Sequence, residues 1–230
     1  MIHEMPRAGQ KRRHAEMADQ IIDAAEAIVS DEGLEALTMQ RIAADLGYRA
    51  GALYRYHASK EAVQVALLGR VIEALVEAMA EVRDRPLGGA PEQMALVRLV
   101  AVGHAYLQLA ETRPSLMNLV VRFLGNPAPV VSDPATADLV PRGFELISIV
   151  GGLFAEAARL GALPPGPELV RVALFWNALH GLVATRKLGR FGVINVRVLG
   201  PATVRTLLMG FGASAANVDL AISNVFLEAS

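Results

Sequence analysis

The residues best suited to chemistry in this sequence lie in one short stretch, between Gly47 and Lys60. That stretch carries three cations, Arg49, Arg55 and Lys60, and it contains no aspartate or glutamate. A guanidinium can donate two hydrogen bonds to a guanine edge or clamp a phosphate, and an ammonium binds phosphate as a point charge. Residue types in this pattern favour binding to nucleic acid.

Hydroxyl-bearing side chains beside these cations add neutral hydrogen-bond donors. Tyr54 and Tyr56 lie within the stretch, and Thr38 precedes it at a predicted helix start. Hydroxyl groups of this kind often donate to phosphate oxygens, and Gly51 would let the backbone come close to DNA.

Two short predicted helices position these groups. The first begins at Thr38, a good N-cap residue, and ends at Gly47, and the second covers about Arg49–Tyr56. Two short helices joined by a tight turn form a helix-turn-helix, whose second helix enters the major groove of DNA. The whole chain has a net charge of −1, so the positive charge is local to this motif.

The rest of the chain is also predicted to be helical, which indicates an all-α fold. Alanine, leucine, glutamate and arginine dominate, and the apolar residues recur at helical spacing. The segment 85–90 contains proline and glycine and is the best candidate for a linker between domains. Further helices are predicted at about 14–31, 60–83, 91–112, 114–124, 137–160, 168–188, 201–211 and 218–228.

Composition and residue spacing argue against several other classes of protein. The chain has no cysteine, which excludes disulfides, thiolate zinc sites and a cysteine nucleophile, and which is typical of a cytoplasmic protein. No apolar run reaches the roughly 20 residues of a membrane span. The five histidines lie far apart without metal-binding spacing, and no phosphate-binding glycine loop or serine elbow is present. The sequence therefore predicts a protein that is not an enzyme, with no metal site, no cofactor and no membrane partner.

A longer pattern of residues runs from about Ile21 to Val65. Its segments are Ile22-x-Ala24-Ala25, Gly33, Leu37-Thr38-Met39-x-x-Ile42-Ala43, Leu46-Gly47, Gly51-Ala52-Leu53-Tyr54-x-Tyr56 and Ser59-Lys60-Glu61. This combination resembles the N-terminal domain of TetR-type transcription regulators. The resemblance implies an all-helical homodimer with one helix-turn-helix domain per subunit and a C-terminal domain that encloses a small-molecule pocket. It also implies that ligand binding changes the separation of the two recognition helices and releases the operator DNA.

The resemblance assigns roles to individual positions of the helix-turn-helix. The residues that read bases are then Gln40, Tyr48, Arg49, Ala50 and Gly51, and those that contact phosphates are Thr38, Tyr54, Arg55, Tyr56 and Lys60. Two positions depart from the family's pattern: His57 stands where phenylalanine is usual, and Ala50 stands where a larger residue is common. These departures leave the operator sequence open.

The C-terminal half resembles one subfamily through the helix that carries Trp176-x-x-x-His180-Gly181, a Trp-His-Gly pattern. The resemblance implies double-stranded operator DNA and a second copy of the chain as partners, with a dimer formed by the helices at about 168–188 and 201–211. The last predicted helix, 218–228, extends beyond the usual end and could cap the dimer or cover the pocket. The chain accordingly divides into a flexible basic arm (1–13), a helix-turn-helix domain (14–62) and a ligand-binding and dimerisation domain (63–230).

Polar and aromatic side chains on the later helices are candidates for the ligand pocket. Trp176 and His180 lie one turn apart on one helix face, where they either line a pocket or pack in the core. Polar groups in an apolar wall can orient a ligand, and they can equally join two helices. The candidates are His104, Asn118, Arg122, Phe123, Phe154, Trp176, Asn177 and His180. Their aliphatic and aromatic surroundings predict a small apolar or amphipathic ligand.

Taken as a whole, the sequence predicts a ligand-released repressor that acts as a homodimer on a near-palindromic operator. Two alternatives stay open: a helical interaction protein, and a TetR-like activator without a small-molecule inducer. An interaction protein that does not bind DNA would leave the acid-free run unexplained. The arm, with Arg7, Lys11, Arg12 and Arg13, is either a DNA contact or a solvated tail.

Overall fold

The computed structural model describes residues 5–125, 133–192 and 195–227, and within these ranges the chain is helical and has no strand. The all-α prediction is therefore confirmed. The α-helices are α1 (Met5–Asp31), α2 (Met39–Asp45), α3 (Ala50–Leu53), α4 (Lys60–Asp84), α5 (Pro91–Thr112), α6 (Pro114–Gly125), α7 (Val140–Arg159), α8 (Glu168–Thr185), α9 (Val196–Gly210) and α10 (Ala215–Leu227). Short 3-10 helices cover Leu34–Ala36, Asp133–Leu139 and Arg186–Phe191. Most of the predicted loop at 126–136 lies outside the described residues.

The described residues form two compact units. The first unit combines the chain up to Val71 with Arg113–Asp138, and the second combines Ile72–Thr112 with the chain from Leu139 onward. This division differs from the boundary expected after residue 62, because α6 packs against α1 and so belongs to the first unit. Sequence periodicity shows that α6 has an apolar face but not which helix covers that face.

The core of the first unit is built on the apolar stripe of α1. Side chains at three- and four-residue spacing on α1 are buried, and they pack with residues of α2, α3 and α4. The buried side chains of α1 are Ile21, Ile22, Ala25, Ile28 and Val29. Those that follow α1 in the chain are Leu37, Ile42, Leu53 and Leu67. This core holds α2 of the helix-turn-helix against α1, and α3 packs against α2.

The first helix is longer than predicted, since α1 begins at Met5 instead of about His14. Residues 5–13, expected to be a flexible arm, form its first turns. Pro6 suits the first turn of a helix, where its missing N–H is not needed. Between Pro6 and His14 only Gly9 disfavours a helix, so the arm has no residue that stops the helix from extending towards the amino terminus.

The second unit is arranged around α5, which packs against α7, α8, α9 and α10. Buried residues therefore lie on all sides of α5 rather than on one stripe. At Gly103 the neighbouring helices come so close that a Cβ atom would lie 2.6 Å from Val204 Cγ2 and 3.3 Å from Phe175 Cζ. The absence of a side chain at Gly103 is thus what lets α8 and α9 approach α5.

Two later helices have bounds that differ from the prediction. The α9 helix begins at Val196 rather than Pro201, because Asn195 Oδ1 caps it by accepting from the Arg197 amide at 3.0 Å. Pro201 therefore lies inside α9. The α8 helix ends at Thr185, and the chain continues as a 3-10 helix. None of the described helices is both long and apolar enough to cross a membrane.

Candidate nucleic-acid interface

Local capping interactions set the geometry of the helix-turn-helix. Thr38 is the N-cap of α2, as predicted, and its Oγ1 accepts a hydrogen bond from the Arg41 amide at 3.0 Å. Gly47 adopts a φ of 71°, in the left-handed region, and the Tyr48 amide donates to the Ala43 carbonyl at 2.8 Å. This glycine-closed end turns the chain from α2 into α3.

The predicted base-reading residues lie at the start of α2 (Gln40), at the turn and at the start of α3. Gln40, Tyr48, Arg49 and Gly51 are exposed, and Ala50 is half-buried. Below them Leu53 is only 2% exposed and anchors α3 in the core. The α3 helix is shorter than predicted, because it ends at Leu53 and the chain continues as a turn.

The predicted phosphate-contacting residues continue along the surface from α3 to the start of α4. Thr38, Tyr54 and Arg55 are exposed, whereas Tyr56 and Lys60 are half-buried. The Arg55 guanidinium lies 5.0 Å from the centre of the Tyr56 ring. Lys60 is the first residue of α4, whose start is capped by Ser59, with Oγ accepting from the Ala62 amide at 3.0 Å.

The cations of the first unit fall into two groups. Arg41 binds Glu32 at 2.7 Å, Arg70 binds Asp23 at 2.6 Å, and Arg122 binds Glu35 at 2.9 Å. Another group makes no ion pair with any described residue of the protein. Its members are Lys11, Arg13, Arg49, Arg55 and Lys60, and we call them the unpaired cations. Three of them are the cations of the acid-free stretch.

Two histidines join α1 to the segment that follows α3. His14 Nε2 donates to the Arg55 carbonyl at 3.2 Å, and His57 Nε2 donates to the Ala18 carbonyl at 3.2 Å. The His14 ring also lies 4.7 Å from the Tyr56 ring. We call His14 and His57 the histidine pair. It accounts for the departure at position 57, because a phenylalanine there could not donate to Ala18.

Within the second unit, Trp176 and His180 form a cluster with Tyr106 of α5. His180 Nδ1 lies 3.1 Å from the Tyr106 hydroxyl and 3.1 Å from the Trp176 carbonyl, and the Tyr106 and Trp176 ring centres are 4.9 Å apart. Burial raises the pKa of Tyr106 and lowers the pKa of His180. Both side chains are therefore held in their neutral forms. Tyr106 was missing from the predicted pocket, because only the packing of α5 on α8 brings it to His180.

One nitrogen of this cluster has no partner in the described structure. His180 Nε2 is buried and makes no hydrogen bond. If Nδ1 carries the proton, Nε2 is an acceptor without a donor; if Nε2 carries it, a donor lacks an acceptor. In either tautomer one hydrogen-bonding position of His180 is left open.

The remaining predicted pocket residues do not gather into one group. Asn118, Arg122 and Phe123 belong to α6 of the first unit, where Arg122 is used in the ion pair with Glu35. In the second unit, His104 lies 4.6 Å from the Phe226 ring, and its pKa is lowered by burial. The other two members differ in exposure: Phe154 is fully buried in the core beside Phe175 and Phe211, and Asn177 is exposed on α8. The eight candidates are thus divided between two units.

The described residues also contain no group of three or more histidine and acidic side chains placed to hold a metal ion.

Family models match both halves of the chain. A model of the TetR family of bacterial regulatory proteins matches residues 21–67, and a model described as a tetracyclin repressor-like C-terminal domain matches residues 99–198. A comparison with curated protein sequences finds no match. The chain belongs to the TetR family, whose members are DNA-binding transcription regulators rather than enzymes. The Trp-His-Gly subfamily stays a prediction.

Solved structures agree with this assignment at the level of the fold. A TetR-family regulatory protein from Rhodococcus RHA1 is 18% identical, with a TM-score of 0.65, and the match covers 86% of this chain and 97% of that one. AibR, solved in complex with isovaleryl coenzyme A and operator DNA, is 20% identical with a TM-score of 0.64, covering 86% and 99%. The ketosteroid transcriptional regulator KstR2 of Mycobacterium tuberculosis is 18% identical with a TM-score of 0.63, covering 86% and 96%.

Proposed function

We propose that this TetR-family chain is a repressor that binds a near-palindromic operator as a homodimer and is released by a small ligand. The unpaired cations carry the proposal. An exposed cation without a protein counter-charge is free to replace the counterions of a DNA phosphate, whereas one already bound to a carboxylate is not. Three unpaired cations lie on the helix-turn-helix, where the family's recognition surface falls.

The exposed residues of this surface support separate roles in base recognition and in phosphate binding. Arg49 and Gln40 can each make two hydrogen bonds to a base edge, and Tyr48 can add one. Tyr54 and Lys60 follow at the rim, where they reach phosphates that set the register on the duplex. Specificity is thus assigned to the start of α3 and affinity to the segment from Tyr54 to Lys60.

Exposed apolar residues of the second unit support a dimer. On α8, Leu169, Val170 and Leu174 are 70%, 51% and 50% exposed, and an apolar face of this kind is typical of a protein interface. The α9 helix contributes Val198, but α10 packs against α9 as well as α5. We therefore centre the dimer on α8, with Asn177 as part of this face rather than of a pocket.

The cluster around His180 supports a ligand site in the second unit. A ligand carbonyl or hydroxyl could bond His180 Nε2, while Trp176 and Tyr106 would contact its apolar part. The cluster is neutral, so the part of a ligand that contacts it should be uncharged, as the acyl group of a thioester is. AibR supplies the first compound to test, isovaleryl coenzyme A.

DNA binding is tested with a duplex that the full chain selects from a random pool. We expect Lys60→Ala to weaken binding to all sequences alike and to lower the salt slope by about one unit. Arg49→Ala should instead reduce discrimination at one base pair by roughly 1–3 kcal/mol. Arg41→Ala, which removes a paired cation, is the matched control. Selection that yields no preferred sequence, with binding that vanishes at moderate salt, would contradict the proposal.

Dimerisation is tested by the mass of the chain in solution. We expect Leu174→Glu to give a folded monomer that no longer retains the palindromic duplex, because the charge cannot be desolvated in an apolar interface. Leu220→Glu, on the exposed part of α10, should leave the dimer intact. A dimer that survives Leu174→Glu but not Phe144→Glu would place the interface on α7.

Ligand release is tested by adding isovaleryl coenzyme A, and then a panel of apolar and amphipathic compounds, to the preformed DNA complex. We expect one class to dissociate the complex and to act less strongly on His180→Leu. A compound that binds the chain without lowering its DNA affinity would favour the activator hypothesis.

A further inference from the structure

The first turns of α1 carry positive charge that the helix-turn-helix does not account for. Residues 5–15 contain no aspartate or glutamate, and Lys11, Arg12 and Arg13 are exposed. Arg12 is paired with Glu16 at 3.2 Å. Lys11 and Arg13 are unpaired cations, like those of the recognition surface.

His14 places this charge beside the rim of the recognition surface. Its Nε2 donates to the Arg55 carbonyl at 3.2 Å, and its ring lies 4.7 Å from the Tyr56 ring. Lys11 precedes His14 by three residues, so it lies on the same face of α1, about 4.5 Å further along the axis. A lysine side chain at that point can reach beyond Arg55 and Tyr56.

The direction of α1 is set by a second contact. His57 Nε2 donates to the Ala18 carbonyl at 3.2 Å, one turn after His14. In the first hydrogen bond α1 supplies the donor, and in the second it supplies the acceptor. These two bonds and the buried stripe of α1 hold the helix in one orientation relative to the segment from Arg55 to Lys60. Lys11, on the face of α1 that carries His14, therefore lies next to the acid-free stretch 47–60.

We propose that Lys11 binds a DNA phosphate just outside each half-site, next to those contacted by Tyr56 and Lys60. This inference rests on the proposed function and extends its binding surface. Because a phosphate is the same at every base pair, Lys11 adds affinity and salt dependence but no sequence preference. It also lengthens the stretch of duplex that each subunit needs.

The test uses the full chain and two lengths of one selected duplex. The long duplex extends about six base pairs beyond each half-site, and the short duplex ends at the half-sites. Binding is measured by fluorescence anisotropy at several salt concentrations for the wild type, Lys11→Ala and the controls Arg12→Ala and Arg13→Ala. Thermal unfolding of each variant reports whether α1 is retained.

We expect the wild type to bind the long duplex more tightly than the short one. Lys11→Ala should bind the two lengths equally, and its salt slope on the long duplex should fall by about 0.9 for the phosphate that is no longer bound. Arg12→Ala should resemble the wild type, since Arg12 is already paired, and so should Arg13→Ala, since Arg13 lies on another face of α1.

Equal salt slopes for the wild type and Lys11→Ala on the long duplex would overturn the inference, and so would an equal decrease in affinity on both lengths. A decrease that depends on A·T content in the flank would also overturn it, because that would indicate minor-groove reading. Failure of the wild type to select any duplex would instead contradict the proposed function itself.

Discussion

In the first unit the groups that indicate a partner are unpaired cations on the surface, whereas in the second unit they are buried polar atoms without a hydrogen bond. The unpaired cations of the first unit include Arg49 and Lys60, at the recognition surface. In the second unit, Arg98 Nε, Arg171 Nη1 and His180 Nε2 are buried without a hydrogen bond in the described structure. The first unit therefore indicates the chemistry of its partner more closely than the second unit does.

This difference follows from the two kinds of partner. A phosphate backbone is always anionic, so a surface that binds it needs cations that are not already paired with a carboxylate of the protein. A buried nitrogen can take any group that completes its hydrogen bonds, so it indicates a position but not a compound. The DNA surface can thus be assigned residue by residue, and the ligand must be found by screening.

The largest effect should come from the tight crossing of helices in the second unit. In Gly103→Ala the new Cβ would lie 2.6 Å from Val204 Cγ2, which forces α5 and α9 apart. We expect a loss of about 1–3 kcal/mol in the free energy of unfolding, measured by denaturant titration. Gly143→Ala, on α7 with no atom within 4 Å, should be neutral or stabilising. Equal effects of the two substitutions would show that the helix crossing can accommodate a methyl group at position 103.

A smaller effect is expected at the histidine pair of the first unit. His57→Phe removes the bond to the Ala18 carbonyl and should cost about 0.5–1.5 kcal/mol of unfolding free energy. Hydrogen exchange should locate the loss in α1 and the segment after α3. A variant more stable than the wild type would show that packing of the phenylalanine usual in the family stabilises the chain more than the hydrogen bond does.

Acid should act on the second unit through its buried histidines. Burial lowers the pKa values of His104 and His180, so the unfolded chain takes up protons at a pH where the folded chain does not. Stability is fully present above the unfolded histidine pKa and falls as the pH drops through it towards the folded values. We expect His180→Gln to flatten this fall in chemical unfolding followed from pH 8 to 5. An unchanged slope would exclude His180 as its source.

The smallest effect should be that of a surface ion pair. Glu32→Gln weakens the bond to Arg41, whose pKa is raised chiefly by its hydrogen bond to Glu32. Both side chains are well exposed, so thermal unfolding should hardly change. The same variant sharpens the comparison of cations: Arg41, left with only its longer ion pair to Asp45, should raise DNA affinity at low salt. Affinity unchanged by the substitution would show that Arg41 lies outside the binding surface.

Much of the fold could be predicted because the ends of helices depend on local residue types. Thr38, Gly47 and Pro91 each mark the helix boundary expected of them. The starts of α1, α7, α9 and α10 lie three or more residues from their predicted positions. For α9 the cause is local, because Pro201 suggested a start that the cap at Asn195 overrides.

The sequence by itself determined the helices, the helix-turn-helix and the acid-free stretch on it, because caps, turns and charge runs depend on residues only a few positions apart. The tertiary structure decided which cations are paired, since Asp23 and Arg70 meet only in the folded chain. It also decided that His14 extends the positive surface and that Tyr106 joins His180. These choices depend on packing between distant helices, where one contact excludes another and no local pattern records the outcome.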